Sequence, residues 1–237
     1  MIATRFSRVP PFERGLTLGD FLVPIRLGER AGIWPRNVLM IAVGTSLMVL
    51  GAYASFSVPQ VAIGSIYVPS DPYVPFSLQT FGVLFAGATL GFRRGVLSTL
   101  LYLLIGCIGL PVFAVTAQGV HASGVATIAT LANGRLVLGA TGGYLVGFVL
   151  AAGLVGRLAE LGWDRSLRGS VAAMLLGSIV IYLVGLPWLA LSVSLNVANT
   201  LQFGLWPFLP GDLIKLFIAA GLLPVGWRLV SRRPNDL

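Results

Sequence analysis

The stretch WPFLPGDLIKLF, Trp206 to Phe217, holds the only lysine of the chain, Lys215, and one of its eight acidic residues, Asp212. Pro210 suits the first turn of a helix, and an acid is favourable beside the positive end of the helix dipole. Asp212 therefore has one reading as a helix-start residue. Lys215, three positions on, faces the same side of that helix. An ionised side chain inside an apolar span costs about 3 kcal/mol unless it is paired or faces water. Two readings follow. The pair neutralises itself, or it forms the polar floor of a site for a small ligand, with Lys215 attracting a carboxylate and Asp212 accepting hydrogen bonds from N–H donors.

Other residues with chemical capacity sit ahead of apolar segments. In GATGGYLVGF, Gly139 to Phe148, glycines let a backbone approach a ligand closely, or let helices pack closely. Thr141, Gly142, Gly143 and Tyr144 are the candidates there, Tyr144 with an aromatic face and a hydroxyl. In VPFSLQT, Val74 to Thr80, Gln79 and Thr80 are polar groups at a helix mouth or ordinary helix-start residues. Asn133, Arg135 and His121 lie in a linking segment, where His121 reads as an exposed loop residue. One histidine and one cysteine, Cys107, offer no metal set and no intrachain disulfide. There is no phosphate-cradling GxxxxGK[ST] loop, no Ser-His-Asp set and no acidic pair for acid–base work. The expectation is a binding protein, not an enzyme, with no cofactor.

The elements that must position these residues are membrane helices. The 237 residues are 56% hydrophobic and 10% charged, against about 25% charged in soluble domains. Mean hydropathy is +0.90. Six apolar segments start at Asn37, Ser77 (short), Gly95, about Leu138, Gly169 and Pro210. Of the sixteen basic residues, all but Arg135 and Lys215 fall before the first segment, between the second and third, between the fourth and fifth, or after the sixth. The positive-inside rule puts those junctions in the cytoplasm. The fold class expected is an all-α membrane protein of six transmembrane helices with both termini cytoplasmic and a ligand pocket near the outer face. The formal charge of +8 then reflects cytoplasmic loops, not nucleic-acid binding. Residues 1–36, with six arginines, read as a cytoplasmic or membrane-surface extension and not as a cleaved signal peptide. Residues 37–232 read as the six-helix membrane domain, and 233–237 as a cytoplasmic tail. The proline-rich linker from Ala54 to Phe76 reads as a stiff apolar lid over a ligand.

In order and spacing, VPFSLQTFGVLFAGATLGFRRGVLSTLLYLLIGCIGLPVF, GATGGYLVGF and PFLPGDLIK resemble the BioY family, the substrate-binding S components of biotin transporters in the energy-coupling factor (ECF) class. The resemblance covers roughly residues 37 to 232. It implies a multi-pass protein of the cell membrane, in contact with lipid, that captures biotin from outside as a transported ligand. It also implies partners: a transmembrane coupling protein and two cytoplasmic ATPases that drive import. PGDLIK matches the family pattern PGDxxK and makes Asp212 and Lys215 the first candidates for biotin contacts. ATGGY matches PTGGY, with Ala140 in place of proline, and makes Thr141, Gly142, Gly143 and Tyr144 pocket wall. The segment from Ala114 to Leu138 is longer and less glycine-rich than in the family, with Asn133 or Arg135 as its candidate polar contact. Ala42 and Ser46 stand where the family carries a small-residue docking surface on the first helix. The alternatives are an S component for another small vitamin, or a membrane enzyme or scaffold without a solute pocket.

Overall fold

The structure, a computed structural model, describes residues 16–22, 33–55, 61–63, 66–68, 76–116, 119–132 and 134–231. Most of the N-terminal extension, most of the proline-rich linker, Asn133 and the tail 233–237 lie outside the described residues.

Five long helices carry the fold: α2 (Ile33–Tyr53), α3 (Gln79–Cys107), α4 (Gly142–Glu160), α5 (Leu167–Val193) and α7 (Leu209–Ser231). Each is long and apolar enough to cross a membrane. A short α1 (Leu18–Leu22) precedes them, and α6 (Val197–Gly204) precedes α7. Two small antiparallel hairpins complete the chain: β1 (Val61–Ile63) with β2 (Ile66–Val68), and β3 (Ala129–Ala132) with β4 (Arg135–Leu138). Neither hairpin was anticipated from the sequence.

The second and third apolar segments meet at Gly91, beside the expected junction at Arg93 and Arg94. They are the two arms of α3, which turns back on itself at Gly91. This residue has φ 82° and ψ −178°, a conformation open essentially to glycine alone. Gln79 in the first arm donates from Nε2 to the Tyr102 hydroxyl in the second at 2.7 Å. Along a straight helix these residues would stand about 35 Å apart. A Cβ on Gly95 would lie 3.0 Å from the Gly87 Cα, so the arms touch backbone to backbone. At the helical rise the arms measure about 18 and 24 Å. The second arm ends at Cys107, short of the expected Phe113, because Gly109 takes φ 110° and Pro111 follows.

α3 packs on α2 and α4, α4 on α5, and α5 on α7. Of the α4 span, 67% is buried, against 28% for α5, which makes α4 the central helix. Leu183, Leu191, Ile214 and Phe217 point outward from α5 and α7, as an apolar solvent permits. The α5 start is capped by Ser166, whose side chain accepts from the Gly169 N–H, and α6 by Asn196, which accepts from the Asn199 N–H. The starts of α3, α4 and α7, the end of α5 and all of α6 gather at one end of the bundle. Arg93, Arg94, Arg157, Arg165, Arg168 and Arg228 lie toward the opposite end.

Candidate functional site

A cavity of about 590 Å³ opens among those gathered ends, within the range of small-molecule sites. Its apolar wall comes from Phe113, Ala114 and Val115 after α3, Ala122 and Ala126, Leu145 and Phe148 of α4, Ile181 of α5, and Phe208. Phe208 is braced by the Phe76 ring, with centroids 4.5 Å apart. Hydroxyls of Thr116, Ser123, Thr127 and Thr141 line the loop side. Gln79, Thr80, Tyr144, Tyr182, Asp212 and Lys215 supply the polar groups from the helices.

The floor is a closed polar cluster. Lys215 Nζ lies 2.9 Å from Asp212 Oδ1. The Thr80 hydroxyl donates to the same oxygen at 3.4 Å and accepts from Lys215 Nζ at 3.5 Å. The Tyr182 hydroxyl donates to Asp212 Oδ2. Both charged side chains are 13% exposed, and a half-satisfied ion pair at that burial would be strongly unfavourable. Thr80, from the first arm of α3, and Tyr182, from α5, complete it. A carboxylate offers about four acceptor positions and an ammonium three donors. The cluster uses three of the former and two of the latter, so each residue keeps capacity for a ligand. The pair is neutral by itself, and it places an acceptor and a donor side by side in the cavity lining.

Tyr144 lines the cavity edgewise to Tyr182, with centroids 6.2 Å apart, and its hydroxyl donates to the Gly204 carbonyl at 2.9 Å. Thr141 and Ala140 line the wall as well. Gly142 and Gly143 lie behind it. A Cβ on Gly142 would meet the Ile128 carbonyl at 2.7 Å, and one on Gly143 the Trp188 Cβ at 2.2 Å. Their absent side chains let α4 seat against α5, while Trp188 Nε1 donates to the Gly139 carbonyl at 2.9 Å. This is the close-packing role of glycine in membrane helices.

Gln79 lines the cavity but is only 4% exposed. Its amide is held by Tyr102, whose hydroxyl donates on to the Val112 carbonyl at 2.9 Å. Asn133 lies outside the described residues. Arg135 is exposed on β4 and outside the cavity lining. His121 is not an exposed loop residue: it stacks on Tyr53 at 3.9 Å, and its Nδ1 is 2.8 Å from the Phe113 carbonyl, which pins the loop beside the cavity. Tyr182 was missed from sequence, although a lone tyrosine inside GSIVIYLVGLP signals a hydroxyl that needs a partner.

The model of the BioY family matches residues 25–232. The chain is similar to the biotin transporter BioY of Thermotoga maritima, 34% identical over 185 residues that cover 78% of this chain and 92% of the relative. It is also similar to the biotin transporter BioY of Rhodobacter capsulatus, 32% identical over 210 residues, 81% of this chain and 96% of the relative. In three dimensions it is similar to the S-component for biotin from an ECF-type ABC transporter, a 2.1 Å crystal structure. That match has TM-score 0.62 and 27% identity and covers 85% of this chain and 98% of the other. The family match spans most of the residues that build the helices and the cavity, and the chain belongs to the BioY family.

Proposed function

We propose that the chain is the biotin-binding S component of an ECF-type uptake transporter, capturing biotin at the outer side of the cell membrane. The observation that carries this reading is the Thr80–Asp212–Lys215–Tyr182 cluster at the floor of a largely apolar cavity of about 590 Å³. The names of its relatives make biotin the ligand.

The ureido ring of biotin carries N–H donors beside a C=O acceptor. Asp212 and Lys215, 2.9 Å apart, present the complementary acceptor and donor side by side. A carboxylate at the same place would meet the Asp212 charge as well as the Lys215 charge. The ureido end therefore docks on the pair, with Asp212 accepting N–H and Lys215 donating to the carbonyl. The thiophane ring and valeryl chain run along Phe113, Phe148 and Phe208. The carboxylate reaches toward the hydroxyls of Thr116, Ser123 and Thr127. Thr141, Tyr144 and Gln79 shape the wall, Gly142 and Gly143 support it from behind, and Asn133 is a further polar contact from the loop.

The arms of α3 count as two passes, so the chain crosses six times within residues 37–232, with residues 1–36 and 233–237 cytoplasmic. The arginine-bearing end faces the cytoplasm and the cavity end faces out. Energy for release comes from two ATPases through a transmembrane coupling protein.

Calorimetry on the purified chain in detergent tests the reading. Biotin binds one to one, biotin amide binds nearly as well, and an analogue blocked at a ureido nitrogen binds at least tenfold more weakly. Absence of biotin heat, with heat from another vitamin, overturns the substrate. An amide that fails while the ureido-blocked analogue binds reverses the orientation.

A further inference from the structure

At the opposite end of the bundle from the cavity, a second groove of about 730 Å³ runs beside the Gly91 turn. Thr17, Asp20, Asn37, Arg93, Arg94, Arg157 and Glu160 give it polar walls, and Leu90, Phe92 and Leu97 border it. Its carboxylates are already committed. Asp20 accepts from the Thr17 backbone and hydroxyl at 3.1 and 3.0 Å, from Arg94 Nη1 at 2.7 Å and from Arg36 Nη2 at 3.3 Å. Glu160 accepts from the Phe92 N–H at 2.9 Å and from Arg157 Nη1 at 3.0 Å. Burial raises the Asp20 carboxyl, but the Thr17 and Arg94 bonds and the Arg94 charge hold it below the ordinary carboxylate value.

The cations are not all committed. Among the described residues Arg93 has no hydrogen bond or ion pair, and Arg157 is 63% exposed with only one donor used. Among the described residues, four guanidiniums (Arg36, Arg93, Arg94, Arg157) stand against two carboxylates, an excess of two positive charges at the groove. Phe92 and Leu97, at its edge, are about half exposed, and they face the apolar solvent that surrounds the other outward side chains of the bundle. Guanidinium donors meeting an apolar shelf at the end of a membrane helix match the headgroup and upper chain of an anionic phospholipid.

We propose that this groove binds a phosphate group, with Arg93 and Arg157 as its principal donors and an anionic phospholipid headgroup as its source. The ligand lies outside the biotin cavity, so the proposal stands or falls independently of the substrate.

Native mass spectrometry of the full chain in neutral detergent, titrated with phosphatidylglycerol or phosphatidylcholine, tests it. Phosphatidylglycerol is retained at least tenfold more than phosphatidylcholine. The preference vanishes in Arg93→Ala/Arg157→Ala, persists in Arg93→Lys/Arg157→Lys, and is unchanged in the control Arg168→Ala, an exposed arginine outside the groove. Inorganic phosphate at millimolar concentration distinguishes the sources. Failure to displace the lipid upholds the lipid assignment, and full displacement overturns that assignment in favour of free phosphate. Equal retention of the two lipids, or equal loss in the Arg168→Ala control, overturns the site. A melting curve of the double alanine variant that matches the intact chain shows that it is folded.

Discussion

Tyr182 donates its hydroxyl proton to Asp212 Oδ2, the carboxylate oxygen that Lys215 leaves free. The two residues come from different helices, α5 and α7, so this bond ties the helix that carries the ion pair to its neighbour. It also fixes the Asp212 carboxylate in place beside Lys215.

Tyr182→Phe therefore weakens biotin binding about tenfold without changing cavity shape, because a hydrogen bond to a charged group contributes about 1.5–3 kcal/mol. Tyr144→Phe, which loses a neutral bond to the Gly204 carbonyl, costs about 1 kcal/mol of stability and leaves affinity closer to the parent value. Calorimetry of both variants, with melting curves, separates the two roles. Equal affinity losses would contradict the assignment.

Gly91→Ala tests the reversal in α3. Its backbone conformation disfavours any Cβ by about 1–3 kcal/mol. The added atom would also sit 2.8 Å from Thr17 Cγ2 and 2.9 Å from Glu160 Oε1. The expected outcome is a melting temperature lowered by several degrees. Weaker biotin binding goes with it, because the first arm carries Thr80. Unaltered melting would mean that the turn is not set by this residue.

Asp164 sits in the turn between α4 and α5, 1% exposed, and accepts from Trp227 Nε1 at 2.6 Å. Burial raises its carboxyl to about 6, and the Trp227 bond and Arg165 charge offset that only partly. The folded value lies above the unfolded one, so the contribution to stability is full below about pH 4 and is lost as pH rises through about 6. The span corresponds to about 3 kcal/mol. Asp164→Asn keeps an acceptor for Trp227 and flattens this part of the profile, which melting curves between pH 4 and 7.5 would record. An unchanged slope in the variant would assign the dependence elsewhere.

Much of this was legible in the sequence. PGDLIK announced Asp212 and Lys215 because a charged pair in an apolar span demands explanation, and the quoted motifs carried the family. The arginine pattern located the ends of the apolar segments. What was not legible depends on tertiary contact. Arg93 and Arg94 mark the junction of two segments, yet the turn itself is made at Gly91 and the arginines join the second arm. Gly142 and Gly143 look identical whether they face a ligand or Trp188, and the neighbour decides. Tyr182 acquires its role only because α7 places Asp212 beside it. The hairpin β3–β4 is made of ATLA and RLVL, too short for alternation to stand out.

If Asp212 and Lys215 form the ligand-binding floor, biotin calorimetry on the intact chain beside Lys215→Ala will register it. The expected outcome is tight one-to-one binding by the intact chain and a loss of tenfold or more, at least about 1.4 kcal/mol, in the variant. Equal binding by the two proteins, with the variant shown folded by its melting curve, would contradict it.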